Sequence, residues 1–512
     1  MSPPRNFLGL PYELRHQVYG HYFALDDGYV LNFDSGKLAT ANNEPLDLSL
    51  MYTCRIIATE TKYLPLGLNT ISFSTGYHKD WSPWALRFHC LYHAQCLRQV
   101  DFLASSAAKV TPDIYSRLGA KFPRFVTVME NFMRKIDADN VELFLADAEV
   151  GDIARYVLHY GTTPERWHSQ GECLSKMRQA IEYTLKLVAQ DGSEELGDQG
   201  FATQTDCINL LDRCFEPWAI PSWSDLEARS YEFQDECWWQ QFKSHHNDFK
   251  FRFSATAVAI RFLRQLPVSH RLSIRKIILD EDHITLGCPE RHAQGLIPFC
   301  KENPRLRIER RVSLLNNILH SVFFPQMMFK NELDGWAPED NRTIQTSYLS
   351  QLVGSWLVEA LAVMDAGMPA DAFTFVLDGG PAKEVCSGIF QQTIHRDLAW
   401  QTAISQRFPA PPGRRHEEFN LFWDDLPKAM THLINQTSIL RCNFDPGEFW
   451  DAELVMDKIR NWRVAKISRE FICRRTRYRD GSRDTRSHQM PPAFPSWAEL
   501  LPENYDWETE GA

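Results

Sequence analysis

The chain has 512 residues and no uninterrupted apolar run of the roughly 18 residues a membrane-crossing helix needs. The nearest candidate, residues 353–368, is broken by Glu359 and Asp365. The opening residues, Met-Ser-Pro-Pro-Arg-Asn, hold no apolar stretch of the secretory type. Twelve cysteines are present but dispersed, so reduced, buried thiols are expected rather than a disulfide framework. These absences predict a cytoplasmic or nuclear protein that makes no membrane contact.

Catalytic punctuation is also missing. There is no Gly-x-Gly-x-x-Gly, no Walker-type lysine loop, no Gly-x-Ser-x-Gly elbow and no His-Glu-x-x-His. Asp378-Gly379-Gly380-Pro381 reads as a turn, because no phosphate-binding lysine follows it. The acidic triplet Asp280-Glu281-Asp282 reads as solvated surface. His89, His93 and Cys96 stand at helical spacing, with Cys90 beside them. Zinc could use such a face, but no Cys-x-x-Cys completes it, and a packed helix is the reading preferred. The set His283, Cys288, His292 and Cys300 is looser still. No catalytic, metal or cofactor residue is therefore predicted. An enzyme remains the alternative, since triads assemble from distant positions.

What is present is an ordinary globular composition, 44% apolar and 24% charged, with enough Trp and Phe to fill a large core. The net charge of −11 argues against non-specific nucleic-acid binding. One segment departs from it. Residues 460–486 hold ten Lys or Arg against Glu470, Asp480 and Asp484, concentrated at Arg474, Arg475, Arg477 and Arg479. This patch could contact an anionic partner or nucleic acid. The solvated end of the last helix, or a counterweight to the acidic body, is the reading preferred.

Along the chain, periodicity predicts an α+β fold, predominantly helical. A first helix opens at Leu10-Pro11, with Leu14, Val18, Tyr19, Tyr22 and Phe23 on one face. Residues 28–47 read as a hairpin or loop, with the turn at Asp34-Ser35-Gly36, 48–64 as a second helix and 70–74 as a strand. Further strands are expected at 100–103, 141–145 and 274–279, with helices at 84–97, 173–189 and 349–364 and loops at 191–200 and 409–413. The division expected is 1–75, a mixed α/β body at 76–310, a helical region at 311–475 and a polar, loosely held tail at 476–512.

Residues 7 to 75 carry a resemblance. Phe7-Leu8, Leu10-Pro11, Glu13-Leu14-Arg15 and Val18-Tyr19 are followed by Leu48-Ser49-Leu50-Met51-Tyr52-Thr53-Cys54-Arg55, Glu60, Leu66, Asn69, Ile71 and Phe73. The pattern resembles the F-box, and more closely the F-box-like domain of uncharacterised fungal proteins. A second block, residues 292–300 with Glu302-Asn303-Pro304, resembles a segment of the same proteins. Two features depart from the pattern: about 24 residues separate the first two helices, and Ile56-Ile57-Ala58 stands where a second Glu-x-Arg is found. The resemblance implies a non-enzymatic interaction or scaffold protein, and a possible substrate-recruiting subunit that binds the adaptor of cullin ubiquitin ligases and an unknown protein substrate. Its docking residues would be Leu10, Pro11, Leu14, Val18 and Tyr22, entering a partner groove. The same apolar face could instead line this protein's own core, and that destination is the one expected, because amphipathic helices usually face inward.

Overall fold

The hairpin at the start of the chain begins a sheet that continues into distant sequence. β1 (Tyr29–Asn32) pairs antiparallel with β2 (Lys37–Thr40). Gly36, at φ +65°, makes the turn. On its other side β1 pairs in parallel with β3 (Thr70–Ser74). β4 (Lys276–Glu281), β5 (Arg307–Ser313), β7 (Phe373–Asp378) and β8 (Leu440–Cys442) then add in chain order, each parallel to the last. The strand order is β2-β1-β3-β4-β5-β7-β8. A separate two-stranded sheet pairs β6 (Thr343–Gln345) with β9 (Ser487–Gln489). This computed structural model describes residues 7–106, 109–127, 129–130, 173–190, 204–230, 249–321, 343–409, 424–471, 487–489 and Asn504.

Growth in one direction has a consequence. Right-handed crossovers that never reverse deliver their helices to the same face of a sheet. The strands show it by alternation. Ile71, Phe73, Ile277, Leu279, Ile308, Val312, Phe373, Phe375 and Leu377 are buried, while Ser72, Ser74, Ile278, Asp280, Glu309, Arg311, Thr374 and Val376 stand half-buried on the opposite face. Parallel sheets covered on both faces read as continuous apolar runs; these strands alternate because only one face meets the main core.

Among the described residues, three clusters make up the interior. The small first one gathers Tyr19 and Phe23 of α1 (Tyr12–Phe23) against Ile57 of α2 (Arg55–Thr61), with Leu64 of α3 (Leu64–Leu68) at its edge. The main core lies under the sheet and takes in the first part of α4 (Ser82–Ser105). A satellite cluster joins the end of α4 to α5 (Pro112–Lys121), α6 (Leu174–Gln190) and α7 (Gln204–Arg213). The main core continues through α8 (Ala255–Gln265), α9 (Thr346–Asp365), α10 (His395–Arg407), α11 (Leu426–Asn435), α12 (Ala452–Ile459) and α13 (Val464–Phe471). No helix among the described residues is long and apolar enough to cross a membrane.

The α+β, largely helical class expected from the sequence is the one observed, and several local expectations change. Residues 100–103 are helical: α4 runs on past Leu97, since no Gly or Pro interrupts it before Ser105. The helix expected at 48–64 is divided. A 3₁₀ turn at Ser49–Tyr52 ends where Cys54 turns extended (φ −159°, ψ 163°), α2 follows, and Pro65 lies within the first turn of α3. The region 311–475 also contains β6, β7 and β8, and β5 spans position 310. The expected strand at 141–145, the loop at 191–200 and the Pro-rich stretch after Pro409 lie outside the described residues.

The acidic triplet divides as well. Asp280 and Asp282 are half-buried, but Glu281 is fully buried on the covered face, against the expectation of solvated surface. Its carboxylate accepts Arg310 Nε at 3.1 Å and Nη2 at 2.8 Å, the backbone N–H groups of Ala255 and Thr256 at 3.0 and 3.3 Å, and the Thr256 hydroxyl at 2.7 Å. One carboxylate thus ties β4 to β5 and closes the start of α8, where a negative charge is favoured.

A candidate interaction surface on the first helix

Pro11 sits one position before α1, at φ −52° and ψ 150°, and leaves the helix to begin at Tyr12. Only one side of α1 is covered. Tyr19 and Phe23 turn inward onto Phe7, Leu50, Met51 and Ile57. The other side carries Leu10 at 39% exposure, Leu14 at 46%, Val18 at 45% and Tyr22 at 37%. This corrects the expectation that the Leu10, Leu14, Val18, Tyr22 face lines the protein's own core. The N-terminal core is too small to cover both sides: α2 and α3 are short, and the hairpin joins the sheet instead of folding back over α1. Ile56 and Tyr52 are also exposed, at 52% and 83%.

Polar ties fix the helix from behind. Arg15 Nε donates to Glu60 Oε2 at 3.0 Å and a second guanidinium nitrogen pairs with Oε1, while the same side chain reaches the carbonyls of Leu8 and Leu10. The Tyr19 hydroxyl donates to Glu60 Oε2 at 2.8 Å. The hydrogen bond from Arg15 holds the Glu60 carboxyl below its ordinary range, and burial raises the Tyr19 phenol. Tyr22 donates to Asp47 Oδ2 at 2.6 Å. With Ser49 on the same carboxylate, Asp47 falls to about 2. Buried Asn69 donates to the carbonyls of Phe23 and Pro65, both at 2.8 Å, and accepts Leu25 N–H at 2.7 Å. The asparagine of the sequence pattern therefore joins the end of α1 to the end of α3.

His89 and His93 of α4 are buried. His89 Nδ1 accepts Gly287 N–H at 3.2 Å, and burial lowers its pKa to about 3. His93 Nε2 lies 4.0 Å from Cys288 Sγ. No metal-holding cluster of three or more His, Cys, Asp or Glu occurs among the described residues. Ser254 Oγ stands 2.6 Å from His292 Nδ1, a nucleophile–base distance. Both residues are buried, His292 donates from Nε2 to the Gly287 carbonyl at 2.8 Å, and Ser254 caps α8 by accepting Ala257 N–H at 3.0 Å. A groove of about 790 Å³ opens between α5, α6, the end of α9, α11 and the first residues of β7. Two of its charged pairs are closed, Arg124 with Asp425 at 2.9 Å and Lys176 with Asp365 at 3.0 Å. The cluster Arg474, Arg475, Arg477, Arg479 lies outside the described residues.

One carboxyl on the sheet's second face is out of its ordinary range. Burial pushes Asp280 up to about 6; Asp282 and Asp378 add repulsion, and Arg311 opposes them. A carboxyl raised by folding contributes its full stability below its unfolded value of about 4 and loses it as pH rises through about 6. Asp280→Asn is therefore expected to stabilise the protein near pH 7.5 and to change little near pH 4. With the side chain 38% exposed, solvent screening reduces the gain to about 1 kcal/mol. Melting temperatures at the two pH values check this, and a variant less stable near pH 7.5 contradicts it.

The fold and surface together define an α+β protein, mostly helical, built on a seven-stranded mixed sheet whose parallel strands add in one direction, and presenting an apolar helix face to solvent. Compared with known proteins, the chain matches no family model, no curated protein and no solved structure.

Proposed function

We propose that this chain is a protein-interaction protein whose N-terminal unit docks through α1 into an apolar groove of a helical partner, with the larger body as the scaffold for a second protein. The observation that carries the reading is the outward stripe of Leu10, Leu14, Val18 and Tyr22, held by the Arg15–Glu60–Tyr19 ties behind it. A helix presenting anchors at this spacing suits helix-in-groove recognition. Together with the F-box-like residue pattern of 7 to 75, it favours as partner the small adaptor of cullin ubiquitin ligases. The chain would then recruit a protein substrate to the ligase, in the cytoplasm or nucleus. The long segment between α1 and α2 does not obstruct this reading, because it forms β1 and β2 at the edge of the sheet.

The test is a binding titration of the full chain with purified adaptor, and capture of adaptor with cullin. Leu14→Asp/Val18→Asp is expected to weaken binding by about a hundredfold or more, as the loss of two central anchors does. Circular dichroism and melting temperature should stay near wild type, because both side chains face water. Wild-type chain that does not bind the adaptor, or a folded double variant that binds as well as wild type, overturns the assignment.

A further inference from the structure

Residues 443–456 carry an exposed aromatic ledge that the N-terminal surface does not involve. Phe449 is 46% exposed, Trp450 40% and Leu454, in the first turn of α12, 69%. Single exposed apolar residues are normal, but three within six positions form a patch of the kind that marks interaction sites. The ledge is not exposed through looseness. The Gln391 side chain accepts Glu448 N–H at 2.8 Å and donates to the Glu448 carbonyl at 3.1 Å, while the Trp450 indole N–H donates to the Gln391 carbonyl at 2.8 Å. The Phe449 ring meets His395 edge-on, with centroids 5.3 Å apart. Gly447 turns the loop at φ +74°, where a Cβ would stand 2.2 Å from Gln391 Oε1. Backbone and side-chain bonds are thus spent on holding two aromatic rings toward water.

Along residues 443–456 the charge has one sign, and the next cation, Lys458, lies over the Trp400 and Trp462 rings. Asp445, Glu448, Asp451 and Glu453 are exposed, none is paired with a cation among the described residues, and residues 443–456 contain no Lys or Arg. Asp445 and Asp451 accept backbone N–H groups of Gly447 and Glu453 at 3.0 and 2.8 Å, which fixes their positions.

We infer that the Phe449–Trp450–Leu454 ledge is a second docking surface, for a protein segment that presents apolar side chains flanked by lysine or arginine. Aromatic side chains dominate the energy of protein interfaces, and a loop already fixed in shape loses little entropy when a partner docks. Four carboxylates along a stretch that holds no cation of its own attract a basic segment and repel an acidic one.

The probe is a synthetic amphipathic helix of leucine and lysine, with the same helix in leucine and glutamate as control, titrated into the full chain by fluorescence anisotropy. Saturable binding of the lysine helix is expected, weaker as salt rises. It should fall about tenfold or more in Phe449→Ala/Trp450→Ala, and Leu14→Asp/Val18→Asp should leave it unchanged. Glu448→Lys/Glu453→Lys, which spares the aromatics, should weaken the lysine helix and admit the glutamate one. Equal binding of the two helices overturns the proposal, as does an affinity unchanged in Phe449→Ala/Trp450→Ala or lost in the α1 variant. Binding that emerges only after deletion of residues 472–486 also overturns it, by identifying the chain's own basic segment as the occupant.

Discussion

Arg310→Met is expected to lower the stability of the protein by about 3–5 kcal/mol, the cost of removing one partner from a buried ion pair. Arg310 is 1% exposed and Glu281 is fully buried. The guanidinium satisfies more than the carboxylate: it donates to the carbonyls of Pro289 at 2.6 Å and Glu290 at 3.3 Å and lies 4.7 Å over the Trp356 ring. Methionine fills much of the volume but offers no donor. Glu281 would keep only the helix N–H groups and the Thr256 hydroxyl, and two carbonyls would lose theirs. Unfolding in urea followed by circular dichroism reads the loss. Adding Glu281→Gln should recover part of it, because the uncompensated charge is then gone while the amide can still accept at the start of α8. A single variant within about 1 kcal/mol of wild type, or a double variant worse than both singles combined, contradicts this account.

Gly28→Ala is expected to cost roughly 2–5 kcal/mol, from left-handed strain and overpacking together. Gly28 precedes β1 at φ +65°, and a Cβ there would lie 2.3 Å from the Thr70 carbonyl oxygen and 3.1 Å from its carbon. Those atoms are backbone at the start of β3, between the hairpin and the body of the sheet, and cannot turn aside as a side chain could. The damage should be local before it is global. Hydrogen exchange and limited proteolysis should show residues 24–47 opening first. Gly36→Ala is the control, since Gly36 shares φ +65° and has nothing within 4 Å of the added carbon; it should cost only about 1 kcal/mol. Equal effects at the two glycines would show that the contact with Thr70 does not matter.

Some of this fold is legible without coordinates. The alternation of Thr70 to Ser74 and of Lys276 to Glu281 identifies strands, and the repeat of Leu349, Val353, Trp356, Leu357 and Ala360 identifies α9. These signals survive because one face of each element is buried and the sequence must match the period of that face. Val100 to Leu103 misleads, because a short apolar run is compatible with strand and helix alike, and only its continuity with the turns before it decides. The aromatic ledge was missed; its one local signal, Gly447 followed by Phe449-Trp450 among acids, does not reveal that Gln391, far back in the chain, holds it in place.

The amino-acid sequence by itself determined the elements with strong periodicity, the turn at Gly36 and the α+β class, since each depends on neighbours within a few positions. Only the tertiary structure decided which way the apolar surfaces point. Glu281 sits in an acidic triplet yet is buried, because Arg310 and the start of α8 meet it there. Leu14 and Val18 are apolar residues of α1 yet face water, because the N-terminal core has residues enough for one side of α1 only. Burial depends on what lies across a gap in space, and partners drawn from distant sequence leave no mark in the local pattern.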